Sequence, residues 1–237
     1  MMPTTEGALD FKLGLTHAID GFAGHEHALP SVPLYQDVVQ LFARTGISYT
    51  PTLLVTYGGP FAEENFYITQ SPLDEPKVKR FMPSFAQELH TRRHIAFRKQ
   101  DHVYPQLAAE ALKVLHAGGR IGVGSHGQFQ GLGYHWELQA FAEGGFTPTE
   151  LLRIATMGGA EIIGRSTELG SLEAGKFADL LVLERDPRLD IKNTLSIKQV
   201  MKNGRLYEGD TLDELWPRQR ALPALWFADD APGTPAH

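Results

Sequence analysis

The clearest helical period in this chain lies at residues 34–43, where Leu34, Val38, Leu41 and Phe42 recur at the spacing of one helix face. Gly46 closes that helix. Residues 47–55 are dense in β-branched and aromatic side chains, the composition of a buried strand ending at Tyr57-Gly-Gly-Pro60. Upstream, a turn at Gly21-Phe-Ala-Gly24 leads into His25-Glu-His-Ala-Leu29 before Pro30, so strand, helix and strand make one βαβ unit. Residues 11–19 carry a mixed apolar pattern that fits either a strand or a helix end.

Residues 61–104 have no clean period and hold several prolines and charges, which predicts a long excursion with short helices. A helix at 107–115 stops at the Ala117-Gly-Gly119 corner, and 120–124 reads as a short strand. Residues 147–163 predict another helix, with Thr147 as N-cap, Pro148 at the first position and Glu150 three after the cap. Short strands at 180–183 and 196–200 follow, with an Asn-Gly hairpin turn at Lys202-Asn-Gly-Arg205. From Asp213 onward, tryptophans and prolines predict an irregular strap that frays over 232–237.

Composition narrows the chemistry. With 42% hydrophobic and 21% charged residues the chain has the balance of a soluble globular protein. Its formal charge of -6 and lack of a basic run argue against nucleic acid or an anionic membrane as partner. No segment approaches the roughly 20 apolar residues of a spanning helix. Residues 1–10 lack the features of a signal peptide, which leaves a cytoplasmic protein, or an exported one if a signal lies upstream. Cysteine is absent, so a bound metal must rest on histidine nitrogen and carboxylate oxygen. His25-Glu26-His27 is the first candidate: in an extended segment, residues two apart share a side, so both imidazoles could reach one divalent ion. Turn or core histidines donating to backbone carbonyls fit the same pattern.

Several segments resemble a known family. Thr147-Pro148, Ala155-Thr156, Gly159-Ala160, Gly170-Ser-Leu-Glu-Ala-Gly-Lys-Phe-Ala-Asp-Leu-Leu-Val-Leu183 and Val200-Met-Lys-Asn-Gly-Arg-Leu-Tyr207 are similar to the closing segment of the amidohydrolase superfamily, in its imidazolonepropionase-like metal-dependent hydrolases. The resemblance spans roughly residues 15–207. It implies an α/β fold: a partial (β/α)8 TIM barrel, about the last three β/α units, at 1–168; strands of a small composite β-sandwich domain at 169–212; and a carboxyl-terminal strap and tail at 213–237. A complete barrel needs about 250 residues, so the resemblance implies a carboxyl-terminal portion of a larger enzyme.

The resemblance also implies site residues. Residues 15–29 are similar to the sixth-strand region, where the family places Glu-His, and this makes His27 a metal ligand. His25 then belongs to a loop at the substrate cleft, and His17 either faces that cleft or ends a strand. Thr50-Pro51-Thr52 resembles a Thr-Pro-Thr segment at the seventh strand, although a strand start or bulge with proline explains it equally. At the eighth strand the family carries Gly-Thr-Asp or Gly-Ser-Asp, whose aspartate binds metal and serves as general base. Here Gly124-Ser125 is followed by His126, which reads as metal ligand, as catalytic base or as cleft wall. An imidazole supplies no negative charge, and that departs from the family pattern. His135 and Glu137 resemble a His-x-Glu that lines the substrate mouth; a helix start with Trp136 packed inward is the alternative.

The activity implied is hydrolysis of carbon–nitrogen bonds other than peptide bonds, on a small amide or cyclic amide, with a divalent metal, zinc, as cofactor. The same resemblance admits a metal-dependent peptidase or lactonase. A catalytically inactive fragment or interaction protein is a different class, and its partner would be a missing amino-terminal half or a second copy of the chain.

Overall fold

The computed structural model describes residues 2–7, 9–91, 94–126 and 129–228. The predicted tail at 232–237 and positions 127 and 128 of the glycine-rich loop lie outside the described residues. Two four-stranded sheets organise the described residues. The first is parallel, with β1 (Thr4–Glu6), β2 (Gly24–Glu26), β3 (Ser48–Thr50) and β4 (Arg120–Ile121) side by side in chain order. The helix α1 (Phe11–Ile19) connects β1 to β2, and α2 (Gln36–Thr45) connects β2 to β3. Between β3 and β4 come α3 (Ala62–Thr69), α4 (Pro76–Phe81), α5 (Ser84–Thr91) and α6 (Tyr104–His116). After β4 come α7 (Leu132–Glu143), α8 (Pro148–Arg153) and α9 (Gly159–Ile162). The second sheet is an antiparallel meander of β5 (Leu180–Leu183), β6 (Ile197–Lys202), β7 (Arg205–Glu208) and β8 (Glu214–Trp216).

Several elements of the structure differ from the sequence expectation. Residues 11–19 form a helix, started by Asp10, whose carboxylate accepts from the Leu13 amide at 2.9 Å. The strand predicted at 47–55 ends at Thr50, because Pro51 brings no N–H to a ladder and Thr52 turns left-handed (φ 50°) into a 3-10 turn at Leu53–Val55. The helix predicted at 147–163 is real at its start, where Thr147 and Glu150 form the capping box, but a π segment at Ile154–Gly158 divides it from α9. Strand β1 falls within a polar amino-terminal segment whose pattern predicts no element. Strand β8 lies inside the stretch expected to be an irregular strap.

Register explains the two faces of the parallel sheet. Thr5, His25, Tyr49 and Ile121 pair in one row, and His25, Tyr49 and Ile121 are buried towards the helices, with Phe42 of α2 packed on both rings. Glu6, Glu26 and Thr50 form the next row, on the opposite face, as the period of two requires. That second face is polar and close-packed: a side chain at Gly24 would meet Ser48, Thr4 and the Glu26 carboxylate within about 3.1 Å. The two sheets are tied together by Lys77 of α4, which donates to the Ile197 carbonyl at 2.8 Å, and by His135 of α7, whose Nδ1 lies 2.9 Å from Thr194 Oγ1.

Candidate active site

Parallel strands bring their carboxyl ends to one edge, and His27, Thr52 and His126 all follow strands there. Each takes a positive φ, of 68°, 50° and 45° respectively. For side chains with a Cβ this conformation is strained, and holding three of them at one rim requires support from the surrounding packing. Part of that support is visible. The His27 amide donates to the Thr50 carbonyl at 2.8 Å, and Thr52 Oγ1 donates to the same carbonyl at 3.2 Å. Gly124 is needed because a Cβ there would stand 2.6 Å from Thr50 Cγ2 and 3.0 Å from Thr52 Oγ1.

His27 is the centre of the rim. Its Nε2 lies 2.8 Å from Glu6 Oε1, its Nδ1 3.4 Å from the Val55 carbonyl, and its ring stacks on Tyr57 with centroids 4.4 Å apart and planes within 4°. The Tyr57 hydroxyl donates to Glu6 Oε1 at 3.2 Å, so carboxylate, imidazole and phenol close a small network. Burial holds the His27 pKa below the usual imidazole value, and the Glu6 charge works in the opposite direction. A neutral ring has one N–H, so it satisfies one of its two facing acceptors. The His126 ring stands 5.7 Å from the His27 ring, centroid to centroid, and is exposed. Glu26 sits beside Glu6 in register, half-buried and bonded to Thr50; burial, with some repulsion from Glu6, raises its pKa.

The other predicted residues sit elsewhere. His25 and His27 do not share a side, because β2 ends at Glu26 and the left-handed turn at His27 swings its ring to the rim. His25 instead points into the helical layer, where its Nδ1 meets His17 Nδ1 at 3.1 Å. Burial, then His17 and His27, lowers its pKa to about 4, which keeps the ring neutral. Glu137 is completely buried, and both its oxygens accept from backbone amides, Leu53 at 2.7 Å and Leu54 at 2.9 Å. Trp136 packs inward on Phe66. His135 lines a cavity of about 590 Å³ together with Lys77, Phe81, Met82, Leu132 and Ile197, a lining that does not include His27 or His126. Glu6 and Tyr57 were not foreseen from the sequence. Glu6 ends β1 and Tyr57 follows the 3-10 turn after β3, and their distance from His27 along the chain hides the contact.

A catalytic zinc takes three protein ligands and keeps a further position open. Among the described residues, no group of three or more histidine, aspartate or glutamate side chains is placed to hold an ion. Glu6, His27 and His126 approach one another, but Glu6 Oε1 and His27 Nε2 already face each other at 2.8 Å and the His126 ring stands apart. The described donor set therefore does not by itself fit the divalent metal that the resemblance implies. Among the described residues, no helix is long and apolar enough to cross a membrane.

Comparison with known proteins agrees with the α/β arrangement. The family model described as "Amidohydrolase family" matches residues 13–207, and the chain belongs to that family. An S-triazine hydrolase of Gordonia rubripertincta is 32% identical over 97 residues, covering 36% of this chain and 20% of that protein. An imidazolonepropionase of Shouchella clausii is 36% identical over 78 residues, covering 31% of this chain and 17% of its own length. Among solved structures, a Xaa-Pro dipeptidase with methionine bound in its active site superposes with a TM-score of 0.60 at 22% identity, covering 88% of this chain and 45% of the other. A molinate hydrolase gives 0.60 at 17% identity, covering 86% and 42%. These likenesses establish the fold. The chain spans under half the length of each of these four proteins.

Proposed function

We propose that this chain contributes to a hydrolase that cleaves carbon–nitrogen bonds other than peptide bonds in a small amide or cyclic amide. In this reading the parallel sheet with its helices, residues 1–168, is part of a (β/α)8 barrel, and residues 169–212 with β8 belong to a small β-domain. His27 and His126 would be ligands of a divalent metal, zinc, with its remaining donors from outside the described residues; alternatively His126 would be the catalytic base in place of a ligand. The observation that carries the reading is the convergence of the His27 and His126 rings, 5.7 Å apart, at the carboxyl-terminal edge of a parallel sheet in a chain of the amidohydrolase family. Glu6 Oε1 stands at His27 Nε2, a contact that an ion bound at that nitrogen would replace, Tyr57 supports the face of the ring, and the exposed His126, where it holds no ion, can take a proton from a water at the rim.

A second reading, a non-catalytic chain that serves as an interaction protein, is favoured by the incomplete donor set among the described residues. Metal analysis and a hydrolysis assay separate the two. The chain by itself, supplied with zinc or manganese, is expected to bind metal weakly and to hydrolyse amides negligibly, because two imidazoles leave an ion under-coordinated. When further donors are supplied, by a longer chain or a second subunit, metal should bind stoichiometrically and turnover should appear. His27→Ala should then lower metal content, and His126→Ala should lower metal content or turnover. Stoichiometric metal with no hydrolysis of any amide in the completed form would favour the non-catalytic reading.

A further inference from the structure

Glu137 is a carboxylate in a place where stability alone would favour an apolar side chain. It is fully buried on α7, and the two groups that meet its oxygens are the amides of Leu53 and Leu54. Burying a carboxyl group without a counter-charge is expensive, and two hydrogen bonds from backbone N–H offset only part of the cost of its charged form. Burial pushes its pKa up to about 8, while the two amides pull the other way. The amides are those of the turn that begins at left-handed Thr52, and successive N–H groups beyond such a residue form a concavity suited to an anion. The carboxylate of Glu137 fills it from within the protein.

That turn leads directly to the groups that orient His27. Val55, at the end of the 3-10 turn, presents its carbonyl 3.4 Å from His27 Nδ1, and Tyr57, two residues on, stacks on the imidazole at 4.4 Å. Thr56 continues the anchoring: its hydroxyl donates to the Leu53 carbonyl and accepts from the Ala62 amide. We propose that Glu137 is a positioning residue for the candidate site: reaching from α7, it clamps the left-handed turn after β3 through both carboxylate oxygens and so sets the Val55 carbonyl and the Tyr57 ring against His27. The importance of His27 rests on the hydrolase reading above, whereas the geometry of the clamp does not.

The test follows the His27 ring rather than turnover, so a silent hydrolysis assay leaves it intact. In the full chain, Glu137→Gln keeps one acceptor oxygen and Glu137→Met keeps the volume with none. Ring-proton shifts of the histidines are read by NMR, with the buried His17 and His25 pair as internal control. The expected result is graded: the shift that Tyr57 imposes on the His27 ring weakens in Glu137→Gln and is lost in Glu137→Met, while His17 and His25 keep their wild-type signals. An unchanged His27 signal in a folded variant overturns the proposal and leaves Glu137 a core residue. If neither variant folds, amide exchange in the wild-type chain decides. Slow exchange at Leu53 and Leu54 supports the clamp, and exchange at the free-peptide rate overturns it.

Discussion

At the scale of single residues, the environments of the histidines decide what each can do. His135 is the simplest case: burial lowers its pKa to about 4, helped by the Lys77 charge, while its Nδ1 keeps Thr194 as partner. A histidine whose folded pKa lies below the unfolded value of about 6.5 stabilises the fold fully above that value. The contribution is lost as pH falls from about 6.5 towards 4, because the unfolded chain then binds the proton that the folded chain refuses. The full loss is on the order of 3 kcal/mol. Urea denaturation across this window should show His135→Asn, which keeps a hydrogen-bonding group near Thr194, losing stability less steeply than wild type on acidification. Parallel curves for the two proteins would mean that His135 does not carry this dependence.

Residue-scale legibility from the sequence was uneven for the same physical reason. His27 and His126 are visible as types at strand ends, and their motif positions suggest a shared rim. Their partners are not visible. Glu6 reaches His27 only because β1 pairs in register with β2, and the left-handed conformations at His27, Thr52 and His126 leave no mark in residue type. The assumption that residues two apart share a side fails at His25 and His27 because the strand stops between them.

At the scale of elements, patterns with a local cause were readable and those with a distant cause were not. The helix α2 with its left-handed Gly46 cap, the capping box at Thr147 and the Asn203-Gly204 hairpin turn are each set by a few neighbouring residues. The short parallel strands are set by pairing across the sheet, so their lengths were overestimated at 47–55 and missed at Thr4–Glu6. The capping box gives a direct check. Thr147 Oγ1 accepts from the Glu150 amide at 3.3 Å while Glu150 Oε2 accepts from the Thr147 amide at 2.8 Å. Thr147→Ala removes half of the box and should cost about 1 kcal/mol of unfolding free energy. Urea titration should show a lower midpoint at unchanged slope, and an unchanged midpoint would assign the start of α8 to packing alone.

At the scale of the whole molecule, an α/β organisation was legible from the order of elements, and a small β-domain after it was implied by the family resemblance of residues 170–207. The packing between the sheets was not legible, since it rests on Ile191 and Leu195 entering the core and on Lys77 and His135 reaching across to β6 and to Thr194. The proposed reading places one site at the carboxyl-terminal edge, where the His27 and His126 rings stand 5.7 Å apart, with His17 and His25 behind it in the helical layer. The most direct test of that claim is a nuclear Overhauser measurement between histidine ring protons in the intact chain. The arrangement predicts cross-peaks from the His27 ring to both His126 and Tyr57, whose ring centroids lie 5.7 Å and 4.4 Å away, and from His25 to His17. Assigned rings with no His27 to His126 contact, or with His27 meeting His17 in their place, would contradict it.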